Sequence, residues 1–276
     1  MAEGLGIAAA VVGIAGAALQ VSKSLYEDLH AISNAPKTLR ALEADISTLT
    51  ASVEGLQSIQ GPEWQKLGTQ AADNTKSVLQ QCQTACATFR SDLARWTRHS
   101  PANQLAPRDR VVLGFYRQKE IASVSQQVQN WKLSFTSIVG LAAVQSSLRN
   151  GRTSESVNTT LVAFREETAI ANTQMQERIA IITATHTELS LVDREDLDES
   201  DIQDADATLA LLTIEQDTLK SSVSLLQDLL TKSEETAKAQ GLTVTQHNAF
   251  GAHNSGVQVG QSSGTITNNA TAVPAK

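Results

Sequence analysis

Apolar residues recur at three- and four-residue intervals through most of this chain. Leu39, Leu42, Ile46, Leu49, Val53 and Leu56 follow a 3-4-3-4-3 rhythm, the stripe of a helix that buries one face. Residues 33–36 (Ser-Asn-Ala-Pro) supply cap residues and a proline suited to a first turn, and Gly61-Pro62 is expected to end the helix. Leu79, Cys82, Cys86, Phe89, Leu93 and Trp96 repeat the rhythm. After a proline-bearing connection at 99–107, Ile121, Val124, Val128, Trp131, Phe135, Ile138 and Ala142 mark a long helix that Asn150-Gly151 closes. Val157, Leu161, Phe164, Met175, Ile179 and Ile182 define another, running to about Leu189. In the last, Leu212, Leu219 and Leu226 interleave with Val223 and Leu230, and Gly241 is placed to cap it. Long stripes with short connections predict an all-α helical bundle.

The two ends break this pattern. Residues 4–22 carry no charged side chain and are nearly all apolar. As a helix they would span roughly 28 Å at ~1.5 Å per residue, close to the hydrocarbon thickness of a bilayer. The start Met-Ala-Glu lacks the basic residues of a secretory signal, and the abundance of Ala and Gly suits a buried helix as well as an inserted one. Leu5, Ile7, Val11, Val12, Gly13, Ile14 and Leu19 are the candidate membrane-targeting residues, while Ala9, Gly13 and Ala17 form a small-residue series at four-residue spacing. Beyond Gly241 the next charged side chain is the terminal Lys276. Rich in Gly, Asn, Gln, Ser and Thr, residues 241–276 hold too little apolar surface to fold alone and are expected to be disordered in the monomer. The reading is therefore a bundle over 1–240 and a separate tail over 241–276.

Composition agrees with helices: aromatics are only 4% and Pro totals 5 in 276 residues. A net charge of −7 gives the whole molecule no electrostatic attraction to nucleic acid or anionic lipid. One segment differs. Arg90, Arg95, Arg98, Arg108, Arg110, Arg117 and Lys119 face only Asp92, Asp109 and Glu120, a local balance of +4; such a patch could meet lipid headgroups or be an ordinary solvated surface. Residues 193–206, with eight acidic side chains, read as a solvated loop and an acidic helix start, and lack the glycine and terminal Glu of a calcium loop. Cys82 and Cys86 continue an apolar stripe, so core packing is the first expectation and a redox or metal role the second. No phosphate loop, dinucleotide loop, HExxH or CxxC occurs, and His30, His99, His186, His247 and His253 lack ligand-like spacing. No catalytic residue, metal or cofactor is expected.

In the tail, Gly256-Val257-Gln258-Val259-Gly260 is a palindrome flanked by Asn254 and Gln261. In an extended chain both valines share one face and Gln258 takes the other. Stacked in register with its copies, the segment would form a dry valine zipper beside a glutamine ladder. The alternative is a flexible polar tail without function. The tetrad Val257-Gln258-Val259-Gly260 resembles the [IV]-Q-[IV]-G core of RHIM amyloid motifs. With Asn248, Phe250, Gly251, Asn254, Gly256, Gln261, Gly264 and Ile266, the segment 246–268 looks like the pseudo-palindromic RHIM-like motif of fungal cell-death effectors of the HELLP type. The opening MAEGLGIAAAVVGIAGAALQVSKSLYEDL and the stretch SVSQQVQNWKLSFTSIVGLAAVQSSL are similar to HeLo-like domains.

That resemblance implies a HeLo-like or mixed-lineage-kinase-like bundle, a four-helix core plus extra helices, cytoplasmic and soluble while inactive. It implies self-assembly into amyloid, a trigger from an NLR-type receptor carrying a matching motif, and action on plasma-membrane phospholipids without enzymatic chemistry. Two competing readings are a non-lytic adaptor that uses the motif only for recruitment and a small hydrolase or lipase, which no nucleophile-base arrangement supports.

Overall fold

A computed structural model describes residues 2–100, 104–150, 154–191, 199–239 and 241. Among them the fold is entirely helical: α1 (Ala2–His30), α2 (Lys37–Gln57), α3 (Gly61–Leu67), α4 (Thr69–Trp96), α5 (Pro107–Val111) running into a π-helical turn (Val112–Tyr116), α6 (Gln118–Arg149), α7 (Ser154–Ser190) and α8 (Glu199–Ala239). The chain divides into two units, Met1–Val244 and Thr245–Lys276. The second, with every expectation placed on the tail, lies outside the described residues.

The predicted stripes become the core. All six apolar positions of α2 are buried, as are the six from Leu79 to Trp96 in α4. Four helices make a closed ring, with α1 against α2 and α4, and α6 against α2 and α4. Side-chain pairs fix their directions. Lys23 meets Glu54 and His30 meets Glu43, so α1 and α2 are antiparallel. Asp45 with Ser125 and Ser52 with Thr136 make α2 and α6 parallel, and Ser22 with Cys86 and Asp28 with Arg90 do the same for α1 and α4. The extra pair lies outside this ring. Helix α8 packs against α4 and α6 and runs antiparallel to α4, as Asn74 with Asp228 and Gln81 with Ser221 require; α7 covers α6 and α8.

Helix α6 touches α2, α3, α4, α7 and α8 within the bundle, and its burial pattern reflects this. Gln127-Val128, Asn130-Trp131, Ser134-Phe135, Leu141-Ala142 and Val144-Gln145 are buried as adjacent pairs. Neighbouring residues on a helix point about 100° apart, so paired burial marks a helix covered on two faces. Helix α7 shows a single seam of Val157, Leu161, Phe164, Thr168, Ala171, Met175 and Ile182. Past Ile182 in α7 and before Glu215 in α8 no described side chain is buried. The hairpin end of these helices, of roughly 55 and 60 Å by their lengths, therefore runs beyond the core.

Three expectations are corrected. Gly61-Pro62 does not end the second helix; α2 stops at Gln57, and the pair opens α3, where Pro fits the first turn because its missing N–H would have no helical partner. Trp64 and Leu67 of α3 are fully buried. In α8 the seam is rotated: Leu219 and Leu226 are buried with Leu225 and Leu229, while Leu212, Val223 and Leu230 are only half-buried. The connection after α4 also holds more structure than a loop, because α5 and its π turn bury Leu113 there. Gly241 behaves as expected, with φ of +63° and its N–H on the Lys238 carbonyl.

Candidate functional site

The described candidate site is α1 with the basic connection beside it. Val11, Ala15, Ala18, Ser22, Leu25 and Leu29 are buried, and their 4-3-4-3-4 spacing is one helix face. Val12, Ile14 and Leu19 are half-buried and Gly13 is exposed, as are Ala9 and Ala10; the side chains of Leu5 and Ile7 lie outside the described residues. The bundle thus takes one face of α1 and leaves the opposite one open. A Cβ at Gly13 would meet no heavy atom within 4 Å, whereas one at Gly16 would lie 3.5 Å from Gln57 Nε2. By length and composition Ala8–His30 could cross a bilayer, a test that a core helix also passes.

The C-terminal end of α1 is anchored by polar contacts. Lys23 pairs with Glu54 at 2.8 Å, and Asp28 accepts from Arg90 Nε. Arg40 donates to the carbonyls of Ile32 and Ser33 at 2.8 and 2.9 Å and to Glu43 at 2.7 Å, holding the α1–α2 turn. Burial alone would raise the Glu43 carboxyl pKa, but hydrogen bonds from His30 and Arg40 outweigh it and hold the group below the usual range. No comparable polar anchor is described for the first turns of α1.

Of the seven basic residues singled out around the connection, three are engaged. Arg90 pairs with Asp28, Arg95 with Asp92 and Arg117 with Glu120, the last also lying 5.5 Å from the centre of the Trp96 ring. Arg98, Arg108, Arg110 and Lys119 are exposed, without a described ion pair. Asp109 does not offset them at the surface. It is buried, accepting the His99 N–H at 3.1 Å and the Ser100 hydroxyl at 2.7 Å, with His99 Nδ1 at 3.1 Å. An ionised carboxylate only accepts, so that ring nitrogen carries the proton. The connection therefore shows four free cations to solvent, which sequence spacing alone could not reveal.

Cys82 and Cys86 are both free and fully buried. Ser22 of α1 points its hydroxyl at Cys86 Sγ, 3.9 Å away. The hydrogen bond to Cys86, with burial, pushes the Cys82 thiol well up; receiving that bond and the one from Ser22 holds Cys86 lower. Ser22 is not among the candidate residues of the sequence, although its place four residues after Ala18 continues the spacing of Val11, Ala15 and Ala18. Among the described residues no group of three or more His, Cys, Asp or Glu is arranged to hold a metal ion.

An all-helical bundle with a half-docked apolar helix at its start and an uncharged segment at its end is the class defined by these features. The chain belongs to the family of the pigment biosynthesis cluster protein PigL N-terminal domain, whose family model matches residues 2–244. A second family model, the SesB domain on fungal death-pathway protein, matches residues 250–268, inside the segment 246–268 singled out above. These matches relate the chain to fungal cell death. No curated protein and no solved structure matches it.

Proposed function

We propose that this chain executes regulated cell death of a necroptosis-like kind by permeabilising the plasma membrane. The tail is templated into amyloid by an upstream NLR-type receptor bearing a matching motif, the RHIM-like reading of 246–268. Polymerisation gathers the bundles along a fibril and raises their effective concentration toward millimolar. The apolar α1 then exchanges its place in the bundle for one in the bilayer, with Arg98, Arg108, Arg110 and Lys119 meeting anionic headgroups. At about 1 kcal/mol per basic residue near an anionic surface, four cations orient the bundle despite its net negative charge. No covalent chemistry is involved.

The observation that carries this reading is the one-faced docking of α1. A helix of this length and polarity has an alternative in lipid, and among its described residues Gly6, Ala9, Ala10 and Gly13 are exposed. A non-lytic adaptor is favoured instead by Leu25 and Leu29, which make α1 part of the core.

Val12→Asp separates the two readings. Val12 is only half-buried, so the bundle tolerates the change, whereas a carboxylate at the middle of an inserted helix costs about 2.5–3.5 kcal/mol. Dye-filled anionic vesicles seeded with preformed tail fibrils should leak with wild-type chain and stay intact with the variant. Equal leakage from a folded Val12→Asp chain makes α1 a core element only.

A further inference from the structure

Between α1 and α4 lies a pair of thiols for which the proposed function has no use. Cys82 and Cys86 are four residues apart, hence on one side of α4, and both are sealed from solvent. The lid over Cys86 is α1, because Ser22, itself fully buried, sets its hydroxyl on the sulfur. The two helices run parallel, so Ala18, also fully buried, lies one turn back along α1 as Cys82 does along α4. Both α1 residues are small, and the helices pack closely across them. Hence neither thiol meets a reagent while α1 is docked, and a group added to Cys86 would occupy the space of the Ser22 side chain.

We propose that Cys86, with Cys82 beside it, is a thiol modification site that opens only when α1 leaves the bundle, and that a mixed disulfide there prevents α1 from returning. The reagent class is a low-molecular-weight disulfide. The Cys86 thiolate attacks one of its sulfurs, a new S–S bond forms to Cys86, the reagent's S–S bond breaks, and the other half leaves as a thiolate. The proton lost by Cys86 passes to solvent, and no net oxidation of the pair of reactants occurs. While α1 is docked, the hydrogen bonds from Cys82 and Ser22 lower the Cys86 pKa, and the burial of its sulfur under Ser22 keeps the reagent away from it. The adduct makes release of α1 one-way until a thiol removes it.

This inference rests on the proposed release of α1 but is tested without membrane or tail seed. The full-length chain is treated with 5,5′-dithiobis(2-nitrobenzoate) and the released thiolate is followed. The native thiols should react at least about a hundredfold more slowly than those of the urea-unfolded chain, and the rate should rise in urea with a shallower dependence than global unfolding, as for a local opening. Ala18→Glu, which forces a charge under α1, should speed the reaction at least about tenfold while far-ultraviolet circular dichroism stays helical. Once adducted, the wild-type chain should be cut by trypsin after Lys23 and regain protection when dithiothreitol removes the adduct. Cys82→Ala should keep this behaviour, and the chain with both cysteines changed to Ala should be indifferent to the reagent. Reactivity reached only through global unfolding, or an adducted chain still protected at Lys23, overturns the proposal. Vesicle leakage is a separate readout: protected thiols during leakage would sink this inference together with the exchange of α1, whereas gated thiols without leakage would sink only the membrane reading.

Discussion

Gly13 is a residue whose two environments pull in opposite directions. In the docked bundle its position is open, so a side chain there has no neighbour to displace, and leucine in place of glycine favours the helix by about 0.5–1 kcal/mol. In a membrane the same leucine would separate helices that approach through Ala9, Gly13 and Ala17. Gly13→Leu should therefore raise the thermal midpoint while lowering seeded vesicle leakage; a variant that is both more stable and fully lytic argues against close helix packing there. Asp109 offers a pH test. Burial alone would raise its carboxyl pKa, but hydrogen bonds from Ser100 and His99 win and hold it below the ordinary value. Its folded pKa thus lies below the unfolded ~3.9, and its stabilisation is complete above that pH and lost as pH falls through the folded value. Asp109→Asn should cost about 1–2 kcal/mol near neutrality. The gap between variant and wild type should close below about pH 4 in denaturant titrations; a gap that persists would remove the carboxylate's charge from the explanation.

At the scale of elements, two packing styles coexist. Helices α1, α2, α4 and α6 meet through fully buried aliphatic and aromatic side chains, including Trp131 and Phe135. The α7–α8 layer buries more polar groups, among them Thr168, Glu215, Thr218, Ser222 and Ser233, and its two helices are tied by Arg178 on Glu215 and Arg165 on Glu234, each at 3.0 Å. Close approach of α2 and α6 depends on Gly55, where a Cβ would lie 3.2 Å from Val139 Cγ2. Overpacking typically costs 1–3 kcal/mol, partly offset by the better helix propensity of leucine. Gly55→Leu should lower unfolding free energy by about 1–2 kcal/mol in urea titration. An unchanged midpoint would mean that the α2–α6 interface yields without cost.

For the whole molecule, the proposal divides labour between a folded bundle and a segment with its own assembly rule. Peptide 241–276 should form fibrils with a strand spacing of about 4.7 Å. Gln258→Asp or Val259→Asp would place a like charge in every layer of the stack, and burial of unpaired charge is costly enough to abolish assembly. Fibre diffraction and seeding kinetics read the result, and fibrils forming equally well from either variant would remove the zipper. Replacing residues 241–276 by an unrelated amyloid segment should preserve leakage but transfer it to that segment's own seeds. A chimera answering the original seeds would show that the trigger lies elsewhere.

The stripes of α2 and of α4 from Leu79 to Trp96 were legible residue by residue, since periodicity records the phase of a helix relative to one neighbouring surface and a single stripe is buried over both stretches. The uncharged end at 4–22 and the palindrome at 256–260 were equally plain, because each is a local property of composition and order. Tertiary structure decided the rest. Helix α6 is buried on two faces, so its apolar stripe named only half its contacts and left Gln127, Asn130 and Gln145 unforeseen; α8, inserted between α4 and α6, took a seam rotated from its leucine series. Gly61-Pro62 stops one helix in isolation but starts another once Trp64 has a core to enter. The division of arginines into paired and free depended on Asp28, far away in sequence, and on Asp109 turning inward to Ser100 and His99. Such pairings depend on distances between segments, and side-chain periodicity carries no information about which segment arrives opposite.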